Sequence, residues 1–62
     1  MIHLDFSTDE VKILASVIES YLSELRMEIA DTDNHDFREM LKERKAVLEK
    51  TLETLGHPAG NN

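Results

Sequence analysis

The sequence predicts an all-α protein: an antiparallel two-helix hairpin that dimerises into a four-helix bundle and begins with a short extended N-terminal arm. Two apolar stripes of helical spacing flank a short acidic turn at residues 31–34, and start and stop signals stand at their outer ends. The chain has 62 residues and no cysteine, so it has neither a large core nor a disulfide. We therefore expect oligomerisation to supply the missing stability.

Residues 1–6 form the predicted arm. In it Ile2, Leu4 and Phe6 alternate with polar residues, which is the period of a strand. Two interpretations stay open. We favour an extended arm whose apolar side chains cover one end of the bundle, and the alternative is a strand that pairs with its symmetry mate.

The first helix is predicted over residues 8–31. Ser7 and Glu10 have the spacing of a capping box, in which each side chain accepts from the other's backbone N–H. Ile13 and Val17 lie outside the apolar stripe, so we expect them to contact a partner subunit or the arm. The stripe itself consists of Val11, Leu14, Ala15, Ile18, Leu22, Leu25 and Ile29.

The second helix is predicted over residues 34–55, after a cap at Asp33 or Asn34. Gly56 is placed to follow the last helical residue, and Pro58 prevents the helix from resuming. The apolar stripe of this helix consists of Phe37, Met40, Leu41, Val47, Leu48, Leu52 and Leu55.

The hairpin as a whole covers residues 7–56, and residues 57–62 are expected to form a disordered tail. A reversal near residues 32 and 33 predicts that residue i of the first helix faces roughly residue 65−i of the second. Each stripe then remains half open to water. Two hairpins packed face to face close it, which is the basis for the predicted dimer.

The acidic turn offers Asp31, Asp33 and Asp36 as oxygen ligands of the kind that calcium and magnesium prefer. The glycine and the closing glutamate that an EF-hand requires are missing from their positions. We favour the interpretation that these acids stabilise the start of the second helix, with Arg26 or Arg38 as partners. No metal site is therefore predicted.

Arg44 lies in the middle of the second apolar stripe, opposite Tyr21. A buried guanidinium needs a partner, which Tyr21, Glu28 or a glutamate of a second chain can provide. We expect Arg44 to specify the assembly, and the alternative is an anion-binding group. The predicted interface residues are Ile13, Leu14, Val17, Ile18, Tyr21, Leu25, Arg44 and Leu48.

Catalysis is not expected. The sequence has no nucleophile elbow, glycine-rich phosphate loop or metalloprotease motif, and its three histidines lie far apart, so we assign no catalytic residue and no cofactor. The net charge of −6 disfavours nucleic acid and anionic membranes as partners. The start of the chain lacks the features of a secretory signal, and no apolar run is long enough to span a membrane, so a cytoplasmic protein is expected.

The run from Tyr21 to Asp33, continued by residues 36–38 and 41–44, resembles a group of small, uncharacterised bacterial proteins with an EIADTD-type turn between two helices. The resemblance covers about half of the chain and implies a bacterial origin but no activity. The architecture also resembles the plasmid RNA-binding hairpin that dimerises into a four-helix bundle, although the first helix lacks a basic RNA-contacting face. Ribbon-helix-helix repressors likewise begin with a short strand before two helices.

We therefore expect a non-enzymatic homodimeric interaction or regulatory module. Its partner is itself, and an unidentified protein partner stays open. The alternative is a small nucleic-acid-binding regulator of the dimeric-hairpin or ribbon-helix-helix type, which fold resemblance alone does not establish.

Overall fold

The structure, a computed structural model, describes residues 2–56. It contains two helices, α1 (Thr8–Asp31) and α2 (His35–Thr54), and no strand within the described residues. The predicted all-α hairpin is confirmed, with α2 one residue shorter at each end than the predicted 34–55. Neither helix has an apolar stretch long enough to cross a membrane. The predicted tail at 57–62 lies outside the described residues.

The start of α1 is held by a reciprocal pair of hydrogen bonds. The backbone N–H of Glu10 donates to Ser7 Oγ over 3.2 Å, and the backbone N–H of Ser7 donates to Glu10 Oε1 over 2.8 Å. This is the predicted capping box. It satisfies two backbone donors that have no partner inside the helix.

Replacing Ser7 by alanine is expected to lower the free energy of unfolding by about 1 kcal/mol, because the side-chain acceptor of this cap is lost. Urea denaturation followed by circular dichroism measures the change. Thr8→Ala is the matched control, since it removes a neighbouring exposed hydroxyl outside the capping box, and its effect is expected within about 0.5 kcal/mol. Equal losses in the two variants would contradict a specific role for the cap.

The turn between the helices is closed by four hydrogen bonds. The N–H of Thr32 donates to the Glu28 carbonyl over 3.0 Å and ends α1. Asn34 caps α2 by accepting from the Phe37 N–H over 2.9 Å, and its own N–H donates to Thr32 Oγ1 over 3.4 Å. Arg38 Nη2 donates to the Thr32 carbonyl over 2.6 Å. Of the two predicted caps, Asn34 is therefore the one used.

The other end of α2 finishes at a glycine. The N–H of Leu55 donates to the Thr51 carbonyl over 3.0 Å, and the N–H of Gly56 donates to the Glu53 carbonyl over the same distance. Gly56 has a φ of 89°, in the left-handed region that glycine adopts without strain. The left-handed backbone conformation of Gly56 therefore ends the helix at the predicted glycine.

The core is a single seam between the two helices. Apart from Leu14, its buried and half-buried members are separated by three, four or seven residues, which places them along one side of each helix. The four largest buried side chains are 1% exposed or less. The buried residues are Ala15, Ile18, Leu22, Leu25, Leu41 and Leu52, with Leu14, Ile29, Leu48 and Leu55 packed against them.

Lys45 occupies the position in this seam between Leu41 and Leu48. Its side chain is 35% exposed, and its Nζ lies 3.6 Å from Glu49 Oε2. Arg44 is exposed and lies beside the seam. This corrects the prediction that Arg44 occupies the middle of the stripe, because the buried and half-buried positions of the seam in this helix are 41, 45, 48, 52 and 55.

Two side-chain contacts join α1 to α2. They link Tyr21 to Arg44 and Arg26 to Glu49, so the residue numbers of the partners add to 65 and 75. The first contact has the predicted sum of 65, and the second has a larger one. Side chains lean toward the N-terminus of their own helix, which shifts contacting residues away from a simple backbone count.

Candidate protein-interaction site

One side of the hairpin is covered by charged side chains. Arg26 Nη2 lies 4.0 Å from Glu49 Oε2, and Lys45 Nζ lies 3.6 Å from the same oxygen. Nearer the start of α2, Lys42 Nζ lies 3.6 Å from Glu39 Oε2. These mixed charges cover the seam on this side and leave a surface that is not uniformly basic.

The opposite side is an open apolar groove. It has a volume of about 400 Å³ and is lined by Tyr21, Glu43, Arg44, Val47 and Leu48. Arg44 Nη1 donates to Tyr21 Oη over 3.5 Å, which joins the two helices across the groove. Arg44 can belong to this lining because a long basic side chain packs its hydrocarbon stem on apolar surface while its charged end stays in water.

Exposed apolar side chains continue this groove along both helices. Val17, one turn before Tyr21 in α1, is 60% exposed. Met40, one turn before Arg44 in α2, is 40% exposed, and Val47 is 59% exposed. We call this surface the apolar face, and it consists of Leu14, Val17, Tyr21, Phe37, Met40, Val47 and Leu48, with Arg44 in its middle.

The arm lies at one end of the apolar face. Residues 2–6 have neither helical nor strand structure, and a cleft of about 340 Å³ separates the arm from the hairpin. The hairpin side of the cleft contains Leu14, which belongs to the apolar face, and Thr51, one turn beyond Val47. The arm therefore lies beside the end of this face nearest the C-terminus of α2, with Ile2 83% and Leu4 67% exposed. The cleft is lined by Ile2, His3, Leu4, Phe6, Leu14, Thr51, Thr54 and Leu55.

The predicted interface residues separate into three groups by burial. Ile18 is 7% exposed and Leu25 is 0% exposed, so both are buried between α1 and α2 of one chain and have no surface left for a partner. Leu14 and Leu48 are half-buried at the edge of the apolar face. The exposed members of the predicted set are Ile13, Val17, Tyr21 and Arg44.

Val47 and Met40 belong to the apolar face, whereas the sequence places them in one stripe of α2 together with the buried Leu41 and Leu52. The signal that distinguishes them is their offset of one position from the buried residues, since Val47 precedes Leu48 and Met40 precedes Leu41. Residues offset by one position are about 100° apart around a helix. They therefore line the flank of the seam.

The acidic turn is a connection between helices. Asp31, Asp33 and Asp36 are exposed, and residues 2–56 contain no group of three or more acidic or histidine side chains close enough to hold a metal ion. Neither predicted arginine pairs with these acids. Arg38 donates to a backbone carbonyl of the turn, and Arg26 lies beside a glutamate of α2.

Comparison of the chain with protein-family models, curated proteins and solved structures found no match. The surface chemistry of the hairpin is therefore the guide to its function. Its distinguishing feature is the contrast between a charged side and an apolar side.

Proposed function

We propose that the protein is a non-enzymatic homodimeric interaction module, in which the apolar face of one hairpin packs against the same face of a second copy. The observation that carries this proposal is the exposure of Val47 in the groove and of Val17 and Met40 one turn before it, on the side of the seam that the ion pairs leave open. An apolar patch that follows both helices is typical of a protein–protein contact surface.

The limited core supports the same proposal. Only six residues are buried among those described, because two helices side by side form one layer. A single core in a chain of this size seldom supplies more than about 3–5 kcal/mol. Each 100 Å² of apolar area removed from water adds about 2.5 kcal/mol, so covering the apolar face is a large gain for this fold.

A second copy suits this face better than an unrelated surface. A two-fold contact needs a patch that complements itself, and here apolar side chains surround a single arginine with acidic residues on the neighbouring helix. The result is a four-helix bundle whose interior contains both seams and both apolar faces.

Sedimentation equilibrium and light scattering on the unmodified chain test the proposal. The expected mass is twice 7.1 kDa at micromolar concentration. The melting temperature is expected to rise with protein concentration, because association binds only the folded state. A folded monomer whose melting temperature is independent of concentration would overturn the proposal.

A further inference from the structure

We infer that the two copies associate with their turns at the same end of the dimer, and that Arg44 of each copy pairs with Glu24 and Glu28 of the partner subunit. This inference rests on the proposed function, since it describes the dimer that the apolar face forms. Dimerisation alone determines neither the relative orientation of the two copies nor the residue that makes their contact specific.

Two arrangements satisfy a two-fold axis when the same face of both hairpins is buried. If the axis runs along the helices, α1 of one copy packs on α2 of the other and the two turns lie at the same end. If the axis runs across the helices, each helix packs on its own counterpart and the turns lie at opposite ends. Charge decides between them, because apolar packing favours both.

The opposite-end arrangement places like charges together. The midpoint of α2 (His35–Thr54) lies between residues 44 and 45, so full overlap of α2 with its counterpart puts Arg44 against its own symmetry copy. The helix α1 contains six acidic and two basic side chains, a net charge of −4, and it would pack on a second helix of −4. Like charges placed together at an interface oppose association.

The same-end arrangement places Arg44 beside opposite charges. A two-fold axis parallel to the helices leaves the position of every residue along the helix axis unchanged. Contacts between α1 and the partner's α2 therefore follow the register found within one chain. Within one chain, the residue numbers of contacting α1 and α2 residues add to between 65 and 75. Arg44 is therefore level with residues 21–31 of the partner's α1. Glu24 and Glu28 lie within this range.

Both carboxylates also lie on the correct side of α1. Glu24 follows Tyr21 by three residues and Glu28 follows it by seven, spacings that keep all three near one side of a helix. Both residues are exposed, and neither carboxylate forms an ion pair within residues 2–56. Tyr21 Oη accepts from Arg44 Nη1 at 3.5 Å and holds the guanidinium near the groove. The fork of an arginine suits two carboxylates at once.

Distance measurement between spin labels tests the orientation. The chain has no cysteine, so Asp33→Cys at the exposed turn provides one labelling site per copy. Labels at the same end are expected roughly 10–25 Å apart, whereas opposite ends separate them by more than about 35 Å, the length of α1. A long distance would overturn the inferred orientation while leaving the dimer intact. The absence of a dipolar signal at millimolar protein would overturn the proposed function itself.

Arg44→Gln tests the pairing. In the same-end dimer this variant is expected to weaken dimerisation about tenfold, because it removes an opposite-charge contact. In the opposite-end dimer it strengthens dimerisation, because it removes a like-charge contact, so a decrease in the dimer Kd would overturn the inference. Lys42→Gln is the matched control on the charged side, and its Kd is expected within about twofold of the parent. Circular dichroism confirms that each variant is folded.

Swapping the charges of Arg44 and its proposed partners gives a second test of the pairing. Arg44→Glu is expected to weaken the dimer more than Arg44→Gln does, since it places an acid beside two acids. Combining it with Glu24→Arg and Glu28→Arg is expected to recover at least about tenfold of the loss. If the combined variant dimerises no better than Arg44→Glu alone, the assigned partners are wrong.

Discussion

Replacing Leu25 by alanine is expected to leave most of the protein unfolded at room temperature. Leu25 is 0% exposed at the centre of the seam, where the smaller side chain leaves a cavity. A substitution of this kind costs about 2–5 kcal/mol, and a core of this size seldom supplies more than about 3–5 kcal/mol. The loss of helical signal at 222 nm and the urea midpoint measure the result.

The matched control is Met27→Ala in the same helix. Met27 is 65% exposed, so its truncation removes little buried area and is expected to change the free energy of unfolding by about 0.5 kcal/mol or less. If Leu25→Ala unfolded cooperatively with a free energy within about 1 kcal/mol of the parent, the seam between α1 and α2 would not be the main source of stability.

Val47→Lys is expected to weaken the dimer at least about 100-fold, because it places an unpaired ammonium in the apolar face at the contact between copies. Val47 is 59% exposed in the single hairpin, so the substitution does not disturb the seam. Sedimentation equilibrium measures the dimer Kd directly.

Met27→Lys introduces the same charge outside the apolar face and serves as the control. Its dimer Kd is expected within about threefold of the parent, since only long-range electrostatics change. Unchanged dimerisation by the Val47 variant would contradict the assignment of the apolar face as the interface. A comparable loss in both variants would indicate a nonspecific effect of the added charge.

The parts of the fold that sequence predicted correctly are local. The capping box of Ser7 and Glu10 joins residues three apart, and Gly56 ends α2 through its own backbone conformation. Three residues connect the helices, from Thr32 to Asn34, so the chain must reverse within them. Each of these features depends on neighbouring residues, which a sequence displays directly.

The candidate site was predicted less well. Arg44 was expected inside the stripe, whereas Lys45 occupies that position. Leu25 was expected at the interface and is buried within one chain, while Val47, which the sequence places in the same stripe as Leu48, is exposed. In each case the helix carries apolar residues over more of its circumference than a single neighbour can cover. Periodicity locates that wide stripe but does not show which part of it faces the other helix.

The sequence by itself determined two helices, their ends and their reversal, because caps, turns and apolar spacing act over a few residues. Only the tertiary structure decided which residues of each stripe are buried in the seam, since that depends on how the two helices pack against each other along their whole length. The same choice leaves Tyr21, Arg44 and Val47 on the opposite side from the ion pairs at Glu49. The location of the candidate interface therefore follows from packing, which residue spacing alone does not specify.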